Sequence, residues 1–303
     1  MWFSNLRLYR LPAPWGVTNS MLEEWLQQRP FSHCGNSDMQ SLGWVSPQDD
    51  SGLVYSVEQQ WLLALASEQK LLPAGIIKQF TVDKAAEIES TQGYAPGRKQ
   101  MREIRENVTA ELLPRAFALR KRLHIWINPA AGWLGMDTAS ASKADAALEV
   151  LSQCCEALPL SLLQTQLSPA TAMSEWLASG EAPAGFSIDQ DCELKSASES
   201  KATVRYVHHP LEGEEVGEEI KKHLAFGKRP TRLALTWNDR ISFILTENLE
   251  IKRLAFLDLL KEEASGENAS EQFAANIAIM SGELSRMIPD LINALGGETP
   301  AQS

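Results

Sequence analysis

The chain has 303 residues, of which 44% are hydrophobic and 22% are charged, enough apolar residues for one or two folded domains. Its formal net charge of -11 excludes a uniformly basic surface, the simplest arrangement for a protein that binds nucleic acid. A nucleic-acid site would therefore need basic side chains gathered in one place, with the acidic excess elsewhere.

The cysteines and the apolar runs indicate a soluble protein of the cytoplasm. None of the four cysteines has the C-x-x-C spacing of a zinc site, and four in a chain of this length do not indicate a disulfide scaffold. Residues 1–11 lack the basic start and unbroken apolar stretch of a signal peptide. No apolar run is long enough to span a bilayer.

Residues 1–72 are predicted to be rich in strands and to contain one helix. Apolar and polar residues alternate over residues 2–11, which predicts a strand. Ser20 and Glu23 have the spacing of a capping box, so a helix is predicted to start there and to end before Pro30. Short strands are predicted at residues 39–45, 53–57 and 61–66.

Residues 73–117 predict a projecting helical hairpin. Pro73 opens the first helix, because proline is well tolerated in the first turn. The segment 93–97, Gly-Tyr-Ala-Pro-Gly, breaks the helix, and a second helix is predicted from Arg98 to about Leu113, before Pro114. The apolar positions of the first helix are Ile76, Ile77, Phe80 and Ile88.

Residues 118–303 return to a mixture of strands and helices. Strands are predicted at residues 124–128 and 133–137, followed by a helix over 142–155. Ser168-Pro169 starts another helix that stops at Gly180. The predictions that follow are an irregular stretch over 181–201 with one short strand at 192–195, and a very acidic helix over 214–226.

The last part of the chain predicts a three-stranded meander and helices. Apolar residues alternate over 233–237 and 241–245 on either side of Asn238-Asp239, which predicts a hairpin with a two-residue turn. A third strand is predicted at 250–256. Residues 267–295 predict a helix broken near Ser281-Gly282 and Pro289, with a frayed tail after Gly296-Gly297. Strands joined by hairpins, with helices between them, predict an α+β fold with antiparallel sheets.

The common catalytic and cofactor signatures are missing from the sequence. Gly227-Lys228 is followed by Arg229 rather than the Ser or Thr of a P-loop, and neither G-x-S-x-G nor H-E-x-x-H occurs. His208, His209 and His223 match no standard metal spacing, so a loop pair and a helix-end histidine are the simpler interpretation. We therefore expect no enzyme activity, no cofactor and no metal.

A Glu-rich run could be taken for a Mg²⁺ site, although such a run is more typical of a solvated helix face. Its members are Glu212, Glu214, Glu215, Glu218 and Glu219.

The strongest candidate for a functional surface is the basic segment from Arg98 to Arg122. It holds eight basic residues against three acidic ones, and so carries +5 in a chain of -11. On a helical wheel Met101, Ile104, Val108 and Leu112 form an apolar stripe, with basic residues beside it. The basic residues are Arg98, Lys99, Arg102, Arg105, Arg115, Arg120, Lys121 and Arg122. Residues 115–122 are expected to continue the basic edge of the helix past Pro114.

This basic segment has two interpretations. Its cations could bind phosphates through counterion release, which gives affinity without reading sequence, while Phe117 stacks on a base or packs at a subunit contact. The alternative is a solvated helix followed by a buried phenylalanine, since basic helical edges are common.

Short strings of residues along nearly the whole chain occur in a specific order and spacing. The strings are Trp2-Phe3, Asn5-Leu6, Tyr9-Arg10-Leu11, Cys34-Gly35, Asp38-Met39, Gly43-Trp44-Val45, Leu72-Pro73, Ile77-Lys78-Gln79, Leu112-Leu113-Pro114-Arg115-Ala116-Phe117, Glu175-Trp176, Ser179-Gly180, Leu233-Ala234-Leu235, Arg240-Ile241, Lys252-Arg253-Leu254, Gly282-Glu283-Leu284 and Leu295-Gly296-Gly297-Glu298. In this arrangement the chain resembles the RdgC family of bacterial recombination-associated proteins.

The resemblance implies an α+β protein whose two subunits join at both ends into a ring-shaped homodimer. Members of the family bind duplex DNA in the central hole without sequence preference and restrain RecA-driven recombination, as nucleoid-associated proteins without membrane attachment. The matching strings carry over Lys78, Arg115 and Phe117, the last near a subunit junction. The chain departs from the family at residues 207–217, where His208-His209-Pro210 precedes an acidic run, so no DNA contact is carried over there.

Three hypotheses of different classes follow. The first is a ring-shaped homodimer that encloses duplex DNA and opposes RecA. The second is a protein-interaction regulator that acts directly on RecA and binds DNA incidentally. The third is a Mg²⁺-dependent nuclease that uses the Glu-rich run. The DNA-binding residues predicted by the first are Lys78, Arg98, Lys99, Arg102, Arg115, Phe117, Arg120, Lys121 and Arg122.

Overall fold

A computed structural model describes residues 1–49, 51–155, 158–196, 202–211, 213–264 and 266–299. The fold is α+β with antiparallel strand pairing, as predicted. The chain divides into two compact units. The large unit comprises residues 1–25, 46–63 and 124–303, and the small unit comprises residues 26–45 and 64–123. Glu212 of the Glu-rich run lies outside the described residues.

The structure contains twelve strands, eight α-helices and one 3₁₀ turn within the described residues. In order they are β1 (Asn5–Arg10), α1 (Asn19–Leu26), β2 (Gln40–Val45), β3 (Tyr55–Val57), β4 (Gln60–Lys70), α2 (Ala74–Gln92), α3 (Arg98–Leu112), a 3₁₀ turn (Leu113–Arg115), β5 (Ala118–Asn128), β6 (Trp133–Met136), α4 (Ala141–Cys154), β7 (Ser161–Leu162), α5 (Pro169–Ser179), β8 (Phe186–Ser196), β9 (Thr203–Tyr206), α6 (Glu214–Ala225), β10 (Lys228–Trp237), β11 (Ile241–Thr246), β12 (Ile251–Phe256), α7 (Asp258–Glu263) and α8 (Ala269–Ala294).

The large unit is built on an antiparallel sheet with strand order β6-β1-β12-β11-β10-β8-β9. Leu233 and Leu235 of β10 are fully buried on one face, where they join a core that includes Met280 and Leu284 of α8. The alternate positions of β10 lie on the other face, because successive strand side chains point to opposite sides. This second face carries the polar residues of β8 to β12.

The predicted β10–β11 hairpin is confirmed, but three residues, 238–240, connect its strands rather than the predicted two. Leu233 pairs with Leu245 and Trp237 pairs with Ile241. Asn238 and Asp239 have φ angles of 45° and 53°. Both are the left-handed values of a type I′ turn, which asparagine and aspartate tolerate better than most residues. The third strand of the meander, β12, is also confirmed.

The short strand predicted at 192–195 is part of a longer strand, β8 (Phe186–Ser196), which pairs with both β9 and β10. The prediction of an irregular stretch is therefore wrong for residues 186–191, and residues 197–201 lie outside the described ranges. Opposite β10, the register moves from Cys192 at Leu233 to Ile188 at Leu235. A step of two residues along β10 thus corresponds to a step of four residues along β8. This bulge interrupts the alternation by which a strand is recognised.

The predicted break in the last helix is wrong as well. α8 is one helix of 26 residues with Pro289 inside it. Proline costs a backbone hydrogen bond, but the neighbouring Met287, Ile288 and Leu291 are buried in the core and hold the helix together. The tail is not frayed as far as Thr299, whose N–H donates to the Gln164 carbonyl at 2.9 Å.

The small unit pairs β2 with β4 and contains the predicted helical hairpin, α2 and α3. α2 ends at Gly93, whose φ of 81° is the left-handed value that glycine adopts freely at a helix end. The four apolar positions predicted for α2 divide into two pairs. Ile77 is buried in the hairpin core and Ile88 packs against it, whereas Ile76 and Phe80 are 43% and 44% exposed.

The burial of α2 follows helical spacing through a polar residue. Thr81 lies four residues after Ile77 and four before Ala85, so the three share one face. Its hydroxyl donates to the Ile77 carbonyl at 2.6 Å, which satisfies the polar group inside the contact. Among the described residues, no helix has the length and apolar composition needed to cross a membrane.

Candidate nucleic-acid interface

Charge is divided unequally between the two units. The small unit holds twelve Lys and Arg against eight Asp and Glu, a formal charge of +4. The large unit holds sixteen against thirty-one, a formal charge of -15. The basic residues are thus gathered in the smaller part of an acidic chain. This distribution meets the condition that the net charge of -11 imposes on a nucleic-acid binder.

α3 presents its basic residues to solvent because its apolar stripe faces α2. Ile104 and Val108 are buried in the hairpin core, and Met101 and Leu112 pack against it, which confirms the predicted stripe. The cations beside the stripe are all exposed. They are Arg98, Lys99, Arg102 and Arg105.

One of these cations has an intrahelical partner. Arg102 Nε donates to Glu106 Oε1 at 2.9 Å, one helical turn away. Their side chains are 82% and 62% exposed, so water screens the pair and its contribution to stability is small. The Arg102 guanidinium remains able to exchange this carboxylate for a phosphate.

Arg120, Lys121 and Arg122 lie on a strand and do not continue the edge of α3. β5 begins at Ala118, six residues earlier than the strand predicted from the sequence. Since side chains alternate along a strand, Arg120 and Arg122 lie on one face and Lys121 on the other. The prediction that these three residues form a single edge is therefore corrected by the geometry of β5.

Arg120 is tied to a buried carboxylate that sequence reasoning missed. Its Nε donates to Glu68 Oε2, and the Glu68 side chain is only 4% exposed. Glu68 also accepts the Cys34 N–H at 2.8 Å and lies 3.0 Å from His33 Nδ1. The Cys34 N–H and the Arg120 guanidinium outweigh burial and lower the pKa of Glu68 to about 2. An acidic residue inside the apolar run of β4 was the only sequence signal for this cluster.

Arg122 has a different environment from Arg120, although both lie on the same face of β5. It is exposed, and no ion pair involves it among the residues that the structure describes. Arg122 is therefore free to bind an external anion. Arg120 is 64% exposed, but its guanidinium already donates a hydrogen bond to Glu68.

Lys70 is another cation of the small unit whose charged group bonds within the protein. It is 8% exposed, and its ammonium group donates to the carbonyls of Gly35 at 2.8 Å and Leu113 at 3.1 Å. These bonds fasten the loop that precedes β2 and the 3₁₀ turn to β4. The loop and the turn therefore hold a defined position beside α3.

Phe117 is held by its backbone while its ring is presented to solvent. Its carbonyl accepts the Leu71 N–H at 2.7 Å, and the residue is 86% exposed. The interpretation of a buried phenylalanine is therefore wrong for this chain. Lys78 on α2 and Arg115 at the end of the 3₁₀ turn are also exposed.

Two clefts of the small unit have these cations at their rims. One, of about 720 Å³, lies between α3 and residues 36–39 and includes Arg102 and Arg105. The other, of about 340 Å³, is lined by Phe31, Val45, Ala66, Arg120, Lys121 and Arg122. Concave basic surfaces favour polyanions, because the low-dielectric walls focus the field of the charges.

The histidines considered as metal ligands make other contacts. The His208 N–H donates to Asp191, and the His223 ring lies 3.0 Å from the Lys228 ammonium. Within the described ranges, no three His, Cys, Asp or Glu side chains are grouped so that they could hold a metal ion.

Comparison with known proteins shows the class to which the chain belongs. Residues 1–298 match the family described as "Putative exonuclease, RdgC". The chain is 56% identical over 300 residues to the recombination-associated protein RdgC of Dechloromonas aromatica, covering 98% of each chain. It is 51% identical over 300 residues to that of Herminiimonas arsenicoxydans, covering 98% of this chain and 99% of the relative.

A third relative, the recombination-associated protein RdgC of Cupriavidus pinatubonensis, is 50% identical over 303 residues and is covered completely. The class is thus that of the recombination-associated α+β proteins. The chain belongs to the RdgC family, as the resemblance in its sequence indicated. The description of the family names an exonuclease, whereas the names of these relatives refer to recombination.

Proposed function

We propose that this chain binds duplex DNA through its backbone, without sequence preference and without catalysis. The observation that carries the proposal is the +4 charge of the small unit in a chain of -11. Lys and Arg bind phosphates by releasing condensed counterions, and the free energy of this release does not depend on base sequence. The exposed cations of α3 and β5 are the groups that make these contacts.

The proposed assembly is a ring-shaped homodimer that encloses the duplex. A closed ring of two subunits needs two self-complementary interfaces in each chain. The exposed ring of Phe117 supports a role at a subunit junction or in stacking on a base. Protein that encloses the duplex would exclude RecA filaments, and this would restrain recombination and associate the protein with the nucleoid.

The test is the affinity for unrelated DNA duplexes across a salt series, with the subunit mass measured alongside. We expect equal affinities, a steep salt dependence and a dimer. Reversing charge at Arg98, Arg102 and Arg122 should weaken binding to all sequences and make the salt dependence shallower. A matched control reverses Lys143, Lys221 and Lys261, three exposed lysines of the large unit. Equal affinities of the two triple variants would refute the proposed surface.

A regulator that acts directly on RecA is the second candidate. It is favoured by the exposed Ile76 and Phe80 of α2, one turn apart on a surface helix, since exposed apolar groups of this kind mark protein contacts. It predicts that inhibition of RecA-driven strand exchange survives the triple reversal of Arg98, Arg102 and Arg122. The proposed DNA-enclosing role predicts that inhibition falls together with DNA affinity.

The family description also calls for a nuclease assay. End-labelled duplex and single-stranded DNA would be incubated with the protein and Mg²⁺, and the products separated by length. We expect intact DNA. Shortened products that disappear when Glu215, Glu218 and Glu219 are replaced by glutamine would instead establish the nuclease that uses the Glu-rich run.

A further inference from the structure

A cleft in the acidic large unit gathers three arginines on the open face of its sheet. β10 buries Leu233 and Leu235 on the core side, which places Arg232 on the opposite face. The cleft has a volume of about 150 Å³. Its lining residues are Asp191, Cys192, Glu193, Arg205, Tyr206, Val207, Arg232, Ile244 and Arg253.

Sheet register brings two of the arginines to the same carboxylate. Glu193 of β8 stands opposite Arg205 of β9 on one side and opposite Arg232 of β10 on the other. Directly opposed residues lie on the same face of a sheet. Arg205 Nε donates to Glu193 Oε2, and Arg232 Nε lies 4.0 Å from Glu193 Oε1. The hydroxyl of Thr231 also donates to Glu193 Oε1, at 2.8 Å.

The third arginine is held in a backbone conformation that few residues adopt. Arg253 lies within β12 but has a φ of 50°. The register against β11 shifts by one residue here, so Arg253 lies in a β-bulge, a feature that re-aims side chains and is common beside functional sites. Arg253 Nη1 lies 3.6 Å from Asp191 Oδ2. Asp191 Oδ1 accepts the N–H of His208, which has a φ of 57°.

The charged groups of the cleft differ in how deeply they are buried. The carboxylates lie deeper, with Glu193 14% and Asp191 25% exposed. The arginine side chains are more open, at 65% for Arg205, 50% for Arg232 and 77% for Arg253. In each pair the carboxylate is the buried partner and the arginine is the exposed one. Because the carboxylates are the more buried partners, the guanidinium groups are the part of the cleft that an external anion can reach.

We propose that Arg205, Arg232 and Arg253 form a phosphate-binding site on the large unit, with Glu193 and Asp191 holding the guanidinium groups in position. Three guanidinium groups against two carboxylates leave one positive charge for an anion. The forked donors of arginine match phosphate oxygens. The cleft is smaller than the pockets of about 300–1,000 Å³ that hold drug-sized ligands, so it suits a single phosphate group.

The assignment of this phosphate to a DNA backbone rests on the proposed function. It adds to that function a contact in the unit with a formal charge of -15, so the acidic excess of the large unit would not extend over its whole surface. The carboxylates also compete with the anion for the arginines. Bound phosphate would take over guanidinium donors from Glu193, which stays bonded to Thr231.

The first experiment compares two double variants in duplex binding over a salt series. Arg232→Gln with Arg253→Gln removes two cations of the site, and Lys143→Gln with Lys261→Gln removes two exposed cations elsewhere in the large unit. In the first variant only, we expect the slope of log affinity against log salt to become shallower by about 0.9 for each phosphate that is no longer bound. Equal slopes for the two variants would overturn the site as a DNA contact.

The second experiment tests the competition that the geometry implies. Glu193→Gln removes the charge that two arginines share, and should tighten duplex binding more than Glu181→Gln, which removes an exposed charge of the same unit. A network with only a structural role predicts no difference between these two variants. Tm values of both variants show whether either one has lost its fold.

A DNA-independent measurement separates failure of this site from failure of the proposed function. Inorganic pyrophosphate, added at constant ionic strength, should raise the Tm of the wild-type chain more than that of the Arg232→Gln and Arg253→Gln variant. Stabilisation by pyrophosphate without duplex binding would keep the phosphate site but reject the DNA function. Duplex binding that depends on the small unit, with neither a pyrophosphate effect nor a slope change, would reject the site alone.

Discussion

Arg120 and Arg122 provide a matched pair of substitutions, because they lie on one face of the same strand with different partners. Arg120 is bonded to buried Glu68, and Arg122 has no ion-pair partner within the described parts of the chain. We predict that Arg122→Gln weakens duplex binding and leaves stability unchanged. Arg120→Gln should instead lower the Tm, because it removes a donor from a buried carboxylate.

The expected size of the Arg122→Gln effect follows from counterion release. Each phosphate contact contributes about 0.9 to the slope of log affinity against log salt. A rise from about 50 to about 200 mM salt therefore weakens binding about 3.5-fold for each contact. Between these two salt concentrations the affinity of the wild type should therefore fall more than the affinity of Arg122→Gln. The difference should be about 3.5-fold for every subunit whose Arg122 contacts the duplex. The stability of Arg122→Gln should stay within about 0.5 kcal/mol of the wild type, as for most surface substitutions.

The assay is fluorescence anisotropy with a labelled duplex at four or five salt concentrations, with thermal unfolding of the same preparations. Lys143→Gln controls for the loss of one positive charge at an exposed position. A salt slope of Arg122→Gln equal to that of Lys143→Gln would refute a phosphate contact at Arg122. A normal Tm for Arg120→Gln would refute the anchoring of Arg120 by Glu68.

Three further predictions concern the stability of the two units. The folded-state pKa of Glu68 is depressed to about 2, so its contribution to the free energy of unfolding is complete above its ordinary pKa of 4.5 and is lost as pH falls toward 2. In urea unfolding at a series of pH values, Glu68→Gln should lack this acid-dependent loss of stability. Ile104→Ala should cost about 2–5 kcal/mol in urea unfolding, since Ile104 is buried between α2 and α3, and a loss below about 1 kcal/mol would contradict that packing. Asp239→Val should cost about 1–2 kcal/mol, because a β-branched residue is strained at a φ of 53°, whereas Asp239→Gly should keep the wild-type Tm within a few degrees.

The elements that were predicted correctly are those whose signals are local. The β10–β11 hairpin combines strict alternation with an Asn-Asp turn, and α5 lies between a Ser168 cap and a left-handed Gly180. The hairpin of α2 and α3 is marked by Gly93 and by the apolar stripe of α3. Each of these features depends on residues within a few positions of one another, so it can be recognised from the local sequence alone.

The elements that were predicted wrongly depend on distant neighbours. β8 is a strand because it lies between β9 and β10, and the bulge at Ile188 hides its alternation from sequence analysis. α8 continues through Pro289 because its apolar face is buried against the sheet of the large unit. In both cases burial against other elements outweighs the local preference.

The basic segment was found from sequence, but the sequence did not show which of its cations form ion pairs within the protein. Local charge identified residues 98–122, and helical spacing placed Arg98, Arg102 and Arg105 beside an apolar stripe that the structure bears out. The same reasoning treated Arg120 and Arg122 as equivalent. Only Glu68 distinguishes them, and it lies 52 residues from Arg120 in the chain.

By itself, then, the sequence determined the α+β class, the helical hairpin, the meander and the concentration of basic residues in one segment, because periodicity and charge are properties of neighbouring residues. Tertiary structure alone decided which cations have partners within the protein. It tied Arg120 to Glu68, left Arg122 without an ion pair among the described residues, and placed Arg205 and Arg232 on either side of Glu193. The physical reason is that ion pairs form across a few ångströms, and strand register sets those distances between residues far apart in the chain.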